Sequence, residues 1–180
     1  MGDVRYSKAS QVVAVDASPL IYLAKLEALD VFRAASLRPL VPRSVFDETA
    51  KPALTYRHPD AIRIEEAARS GHLEVVEATP AESKAADTLA GRIPQMHRGE
   101  CEVLAVASSR AVPAVIHEGR ARTIARILGI ELLDVAELLF RGTKDDELLE
   151  ARIRGFGGLV NLRLGDIEAL LELVRQRRLR

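Results

Sequence analysis

The sequence predicts an α/β domain with a parallel five-stranded sheet flanked by helices. Three observations support this fold class: short apolar runs typical of buried strands, capped helices between those runs, and a purely helical pattern after residue 140. Right-handed crossovers between parallel strands place helices on both faces of a sheet, which gives three layers. We expect the α/β domain to cover residues 11–140. A C-terminal helical hairpin, residues 141–180, is expected to pack on the same domain.

The predicted strands are short and contain few charged residues. They are centred on residues 12–15, 40–41, 73–76, 114–116 and 130–133. Helices are predicted between and after them, at about residues 19–29, 44–50, 59–70, 80–91, 99–108, 120–128, 134–141, 144–154 and 166–176. Residues 51–58 are predicted to form a loop.

Helix starts carry their own sequence signals. Ser18 before Pro19 predicts an N-cap followed by a proline in the first turn. Residues 44–47 (SVFD) suggest a weakened capping box, and residues 79–82 (TPAE) a complete one. Residues 134–137 (DVAE) repeat that pattern, and the glycine-rich residues 155–158 predict the turn between the last two helices.

The composition excludes several classes of protein. Hydrophobic residues make up 48% of the 180 residues, and 26 basic residues balance 26 acidic ones, which excludes a polybasic nucleic-acid binder. The single cysteine, Cys101, excludes an internal disulfide and a Cys-rich zinc site. The first apolar run ends at Asp16, far short of the ~20 residues of a membrane span. We therefore expect a cytoplasmic protein without membrane contact.

Four acidic residues are predicted to meet at one edge of the sheet. Asp16 directly follows the first strand, and Glu118 closely follows the fourth. Glu48 lies in the first turns of the helix that leaves the second strand, and Glu100 lies in the first turn of the helix that leads to the fourth. In an open parallel sheet, ligands bind outside the carboxyl ends of the strands. The four carboxylates could therefore share one crevice.

Crowded carboxylates favour a divalent cation. Unpaired buried carboxylates repel one another and cost free energy, and a hard cation such as Mg²⁺ relieves both problems with oxygen ligands. One or two such ions suit phosphodiester hydrolysis. Taken singly, Glu48 and Glu100 also fit acids favoured by the helix macrodipole, and Asp16 fits a helix cap. Glu102 is expected to be a charge on the solvent-exposed face of its helix.

Other phosphate-handling sites are absent from the sequence. It contains no P-loop and no Gly-x-Gly-x-x-Gly after the first strand. Ser18 stands where a haloacid-dehalogenase phosphatase would need a second aspartate, and residues 77–78 lack the aspartate of a receiver domain. No serine lies on a nucleophile elbow.

In order along the chain, these motifs resemble those of PIN domains, the fold of many metal-dependent ribonucleases. The resembling segments are VVAVDASPLI (12–21), VP through DE (41–48), RGECE (98–102) and VIHE with two following arginines (115–122). The resemblance covers about residues 11–140, and RGECE is similar to the Gly-Glu element of one bacterial and archaeal branch of the family.

This resemblance implies a function. It implies Mg²⁺ or Mn²⁺ bound by Asp16, Glu48 and Glu100, with Glu118 at the fourth position, and hydrolysis of single-stranded RNA. Many similar proteins are the toxin of a toxin–antitoxin pair and form homodimers, so a cognate antitoxin and a second copy are the expected partners. The family usually has Asp-Asp or a single Asp at the fourth position, where this chain has His117 and Glu118. Alternation along the strand turns only one of these two inward, and we expect it to be Glu118.

Nearby arginines are candidates for RNA contacts. Arg120, Arg122 and Arg98 flank the acidic positions, and guanidinium groups suit phosphate oxygens. Equally, Arg120 and Arg122 could lie on a solvated helix face.

Two other functions stay open at this point. A degenerate PIN-like module could bind RNA or a protein partner without cleavage, which the His117–Glu118 departure favours. A phosphatase or another metal hydrolase could use the same acidic crevice.

Overall fold

The strands form one parallel sheet, as expected. The structure, a computed structural model, describes residues 10–51, 58–117 and 119–178. In these residues the strands are β1 (Gln11–Val15), β2 (Leu37–Pro42), β3 (Glu74–Val76), β4 (Ala114–Val115) and β5 (Leu132–Leu133). Their order in the sheet is β3-β2-β1-β4-β5, and every pairing between neighbours is parallel. The predicted fold class is confirmed.

Helices connect the strands and complete the C-terminal part. They are α1 (Ala17–Lys25), α2 (Val31–Ala34), α3 (Arg43–Ala50), α4 (Pro59–Arg69), α5 (Pro80–Arg92), α6 (Arg98–Arg110), α7 (Gly119–Ile127), α8 (Val135–Gly142), α9 (Asp146–Leu159) and α10 (Leu164–Arg178). Helices α1, α3 and α4 pack against one another, and α6 packs against both α5 and α7; α3 and α6 also meet. This grouping is that of helices on the two faces of a sheet, as right-handed crossovers require. The expected division after residue 140 falls inside α8.

The order of the strands reverses at β1, which lies at the centre of the sheet. From β1 the chain passes outward through β2 to β3, and it then returns to build β4 and β5 on the other side. Val15 pairs with Val115, and the N–H of Asp16 donates to the carbonyl of Val115 at 3.1 Å. A crevice outside the strand ends at such a reversal is where α/β sheets bind ligands. Asp16 lies at this point.

Of the four predicted helix-start signals, one forms in full and a second forms in part, as an N-cap without the reciprocal glutamate bond. The Thr79 hydroxyl accepts a hydrogen bond from the N–H of Glu82 at 3.2 Å, and the Glu82 carboxylate accepts one from the N–H of Thr79 at 2.8 Å. This is the predicted capping box. Asp134 caps α8 through the N–H of Ala136 at 3.0 Å.

The other two start signals are wrong in detail. Helix α1 begins at Ala17 with Asp16 at the N-cap, so Ser18 already lies inside the helix. Helix α3 begins at Arg43, and the predicted cap residue Ser44 donates its hydroxyl to Glu102 of α6 instead. A side-chain partner on another helix has replaced the local cap.

The glycine-rich segment does not form the predicted turn. Residues 155–158 lie inside α9, and the chain turns after it, where Asn161 has a positive φ of 53°. A β-carbon on Gly157 would lie 2.6 Å from the Ile167 side chain of α10. Glycine is needed at residue 157 because α9 and α10 pack closely there. These two helices form the expected C-terminal hairpin.

No helix in the described part of the chain combines the length and the apolar character that crossing a membrane demands.

Candidate active site

Asp16 is the buried carboxylate of the site. An apolar strand ends at this residue and α1 begins directly after it, which leaves the side chain only 6% exposed. Its carbonyl accepts from the N–H of Leu20 at 3.3 Å, so the backbone of Asp16 opens the helix. Its side chain makes no capping hydrogen bond to α1. A capping hydrogen bond to the second or third residue of α1 therefore does not account for the aspartate.

The electrostatics of Asp16 show which groups surround it. The pKa of its carboxyl is raised to about 6 from an ordinary 3.8, chiefly by burial and also by the negative charges of Glu100 and Glu48. The backbone N–H of Ala17 and the side chain of His97 act in the opposite direction. Residues from three distant parts of the chain thus act on one carboxyl, which places their side chains around a shared region.

Glu48 approaches this region along α3. It is exposed, and its Oε2 atom lies 3.2 Å from the position of a β-carbon built on Gly99. The Cγ2 atom of Val45 lies at the same distance from that position. Since α6 begins beside Gly99, the missing side chain at residue 99 lets α3 and the carboxylate of Glu48 approach the start of α6.

Glu100 has two roles in the structure. It is half-buried in the first turn of α6, and its Oε2 accepts a hydrogen bond from the N–H of His97 at 2.7 Å. This bond belongs to a helix N-terminus, as expected of an acid in a first turn. Its charge also acts on Asp16. Both interpretations that the sequence offered for Glu100 are therefore compatible with its position.

The fourth position is described only through His117. The imidazole ring packs edge-on against Tyr22, with centroids 5.1 Å apart, and against Phe156, at 5.5 Å. Its Nδ1 atom is buried without a hydrogen-bond partner among the described residues. Glu118 lies outside the described residues, so its expected turn into the crevice stays a prediction.

The three candidate RNA-binding arginines differ in how firmly they are held. Arg122 donates to the carbonyl of Ile116 at 2.6 Å and pairs with Asp134 at 3.4 Å, so it fixes the segment that follows β4. Arg120 is exposed and donates to the Gln95 amide oxygen at 2.6 Å.

Arg98, the third of them, pairs with Asp87 in a contact in which both side chains are largely exposed. Exposed ion pairs contribute little free energy in water. Arg98 and Arg120 can therefore exchange their present partners for a phosphate at small cost, whereas for Arg122 the exchange would release a structural contact.

Glu102 is buried, which corrects the expectation of a solvent-exposed charge. It is 6% exposed, and it accepts a hydrogen bond from the hydroxyl of Ser44 on α3. A signal for this was present in the sequence: Glu102 is the one charge in the otherwise uncharged residues 101–107. A single acid within such a run requires a partner from another element.

The donor set fits a hard divalent cation. Asp16, Glu48 and Glu100 offer only carboxylate oxygens. Burial raises the pKa of Asp16, and repulsion from the two glutamates adds to this effect. Among residues 10–51, 58–117 and 119–178, however, no three His, Cys, Asp or Glu side chains form a ready-made metal cluster. An ion held there would therefore draw together carboxylates that stand apart in the protein alone.

Comparison with known proteins agrees with the fold. A family model described as a PIN domain matches residues 12–154, which span every strand and extend into α9. No curated protein matches the chain. The model covers well over half of the sequence, and the parallel sheet with helices on its two faces is the architecture expected of that family. The chain belongs to the PIN-domain family, whose nuclease-like fold is generally that of metal-dependent ribonucleases.

Proposed function

We propose that the protein is a divalent-metal-dependent endoribonuclease that hydrolyses phosphodiester bonds of single-stranded RNA. The observation that carries the proposal is a carboxylate, Asp16, buried at the end of β1 and only 6% exposed. Burial raises its pKa, and so do the charges of Glu100 on α6 and Glu48 on α3. The negative charges of Glu48 and Glu100 disfavour the ionised form of Asp16, and a cation or a proton would relieve this repulsion. Membership of the PIN-domain family makes the cation the better explanation.

Asp16, Glu48 and Glu100 would hold the ion, Mg²⁺ or Mn²⁺, with Glu118 as the fourth acid. When bound, such an ion lowers the pKa of water and neutralises charge on a phosphate. Because the pKa of Asp16, about 6, lies below neutral pH, the carboxyl is mostly ionised there and could accept a cation directly. The Glu100 carboxylate keeps one oxygen on the N–H of His97, which orients the side chain.

Arg120 and Arg98 are the proposed phosphate contacts. Both are exposed, and each lies two residues from a proposed site acid in sequence, Arg98 from Glu100 and Arg120 from Glu118. Arg122 supports them indirectly, because it holds the segment after β4 from which α7 begins. A cognate antitoxin and a homodimer remain part of the proposal, on the strength of the family resemblance alone.

Cleavage of defined RNAs tests the proposal. Single-stranded and duplex oligonucleotides are incubated with the protein and Mg²⁺, Mn²⁺ or a chelator, and the products are resolved by length. We expect internal cuts in the single strand with metal, none with chelator, and none with Asp16→Asn. Glu168→Gln, which changes an exposed carboxylate on α10, is the matched control and should cleave normally.

A non-catalytic binding module is the second candidate. It is favoured by the absence of a ready-made cluster of three metal-binding side chains in the described residues. Metal-independent RNA binding without cleavage would support this module and overturn the nuclease. RNA that is neither bound nor cut would contradict both functions.

A further inference from the structure

Glu102 is a buried charge that the proposed chemistry does not use. It lies in the second turn of α6, is 6% exposed, and accepts a hydrogen bond from the Ser44 hydroxyl. A buried carboxylate without a hydrogen-bond donor is strongly unfavourable, so this bond is specific to the observed packing. Ser44 and Glu102 belong to different helices, 58 residues apart in the chain.

The Ser44–Glu102 bond joins the two helices that carry Glu48 and Glu100. Ser44 and Glu48 are four residues apart and therefore share one face of α3, while Gly99 and Glu102, three residues apart, share one face of α6. These two faces contact each other at two positions along the helices. Ser44 bonds to Glu102 at one level, and Glu48 lies against Gly99 at the other. Together, two contacts on one interface fix the rotation of α3 about its axis.

The same bond compensates for a missing helix cap. Pro42 occupies the N-cap of α3 and makes no side-chain hydrogen bond to the helix. The carboxylate of Glu102 instead accepts from Ser44 in the first turn, where the positive end of the helix dipole favours an anion. The start of α3 is therefore anchored by a residue of α6, two positions after Glu100.

We propose that Ser44 and Glu102 are positioning residues of the acidic site. Their hydrogen bond sets the distance and orientation between Glu48 and Glu100, so that both carboxylates can reach an ion shared with Asp16. This inference rests on the proposed metal-dependent function. Neither residue contacts the ion or the RNA. Groups that hydrogen-bond directly to metal ligands commonly change metal affinity or activity by 10- to 100-fold when they are removed, and this pair, which acts through the helices, should fall at the lower end of that range.

The test compares variants of Ser44 in the full chain. Mn²⁺ affinity is measured by titration calorimetry, and RNA cleavage is measured with kcat and KM separated. Ser44→Ala should weaken Mn²⁺ binding about tenfold, with a matching fall in cleavage at fixed metal concentration. Excess Mn²⁺ should restore much of kcat, because the ligands themselves are intact. Ser44→Thr keeps the hydroxyl and should bind Mn²⁺ as the wild type does.

A double-mutant cycle with Glu102→Gln tests whether the two residues act together. If they act through one bond, the double variant should have the same Mn²⁺ affinity as the single variant that binds Mn²⁺ less tightly. Independent, additive losses would contradict a shared role.

Glu82→Gln is the matched control for a general loss of stability. Glu82 is another buried glutamate whose carboxylate ties α6 to a neighbouring helix, through Arg110 at the far end of α6. This variant should lower the melting temperature and leave Mn²⁺ affinity unchanged.

Two failures can be told apart. If the wild type binds Mn²⁺ and cleaves RNA but Ser44→Ala does so equally well, the positioning role alone is overturned. If the wild type neither binds Mn²⁺ nor cleaves RNA, the proposed function fails and this inference fails with it.

Discussion

The Oε2 atom of Glu48 lies 3.2 Å from the point where a β-carbon on Gly99 would stand. A methyl group at residue 99 would therefore displace the carboxylate by a few tenths of an ångström, and Val45 with it. Gly99→Ala should consequently weaken metal binding several-fold. Its effect on stability should be small, because alanine gains roughly 1 kcal/mol of helix propensity over glycine while the crowding opposes it.

Calorimetric metal titration and thermal melts check this prediction. Gly91→Ala serves as the control, since no atom lies within 4 Å of a β-carbon at that residue. It should leave metal affinity unaltered and raise stability slightly. Equal metal affinities for Gly99→Ala and the wild type would show that Glu48 is not a ligand.

Asp16→Asn should stabilise the metal-free protein at neutral pH. The pKa of Asp16 is raised to about 6, so between pH 3.8 and 6 the folded protein holds more protons than the unfolded chain, and stability falls as the pH rises. Above pH 6 the full penalty applies, at most about 3 kcal/mol. The variant removes this penalty, so its advantage should be present at pH 7.5 and vanish below about pH 4.

Metal should reverse the ranking of these two proteins. Mg²⁺ stabilises whichever form binds it, by linkage, so the wild type should gain more than Asp16→Asn. Thermal melts at pH 7.5 with and without Mg²⁺ measure both gains. Identical gains would remove Asp16 from the ligand set.

The residues at the strand ends and helix starts could be predicted best from the sequence. Contacts between elements that are far apart in the chain could be predicted least. An apolar run stopped by Asp16 is a local signal, and the capping box of Thr79 and Glu82 is another; both signals lie within a few residues of sequence. Ser44 looked like a local cap, yet it bonds to Glu102. Such a choice depends on which helix packs alongside, and a single sequence does not contain that information.

Glu82 should make the protein sensitive to acid. Its hydrogen bonds to Arg110, at 2.8 and 3.0 Å, lower the pKa of the Glu82 carboxyl to about 2 from 4.5. A lowered pKa contributes stability that is present above pH 4.5 and is lost as the pH falls toward 2. Glu82→Gln should therefore cost about 2–3 kcal/mol at pH 7 and flatten the stability curve between pH 4.5 and 2.

Urea unfolding at a series of pH values measures this dependence. Glu168→Gln, at an exposed position, should reproduce the wild-type curve. If the slope of stability against pH below 4.5 were the same in Glu82→Gln as in the wild type, other carboxyls would account for the acid sensitivity.

The glycines of α9 should respond oppositely to alanine. A β-carbon on Gly157 would lie 2.6 Å from Ile167, whereas one on Gly158 meets nothing within 4 Å. Gly157→Ala should destabilise the hairpin by about 1–3 kcal/mol through overpacking. Gly158→Ala should gain up to about 1 kcal/mol of helix propensity. Thermal melts of the two variants decide the matter, and a stabilised Gly157→Ala would contradict the close packing of α9 on α10.

Variants at the fourth position should distinguish a packing role of His117 from a chemical role of Glu118. The ring of His117 fills a cluster with Tyr22 and Phe156, so His117→Ala should lower stability by about 1–3 kcal/mol and leave Mn²⁺ affinity and RNA cleavage unchanged. His117→Phe keeps the ring and removes the unpartnered Nδ1, and it should recover most of that stability.

Glu118→Gln should do the reverse, with lower cleavage and little change in melting temperature. Cleavage rates, calorimetric Mn²⁺ titrations and melts of the three variants measure all of these effects. A loss of Mn²⁺ affinity in His117→Ala at unchanged stability would make the imidazole a ligand in place of the carboxylate. If neither His117→Ala nor Glu118→Gln changed cleavage or metal affinity, the fourth position would take no part in the chemistry, and the non-catalytic binding module would become the better description of the protein.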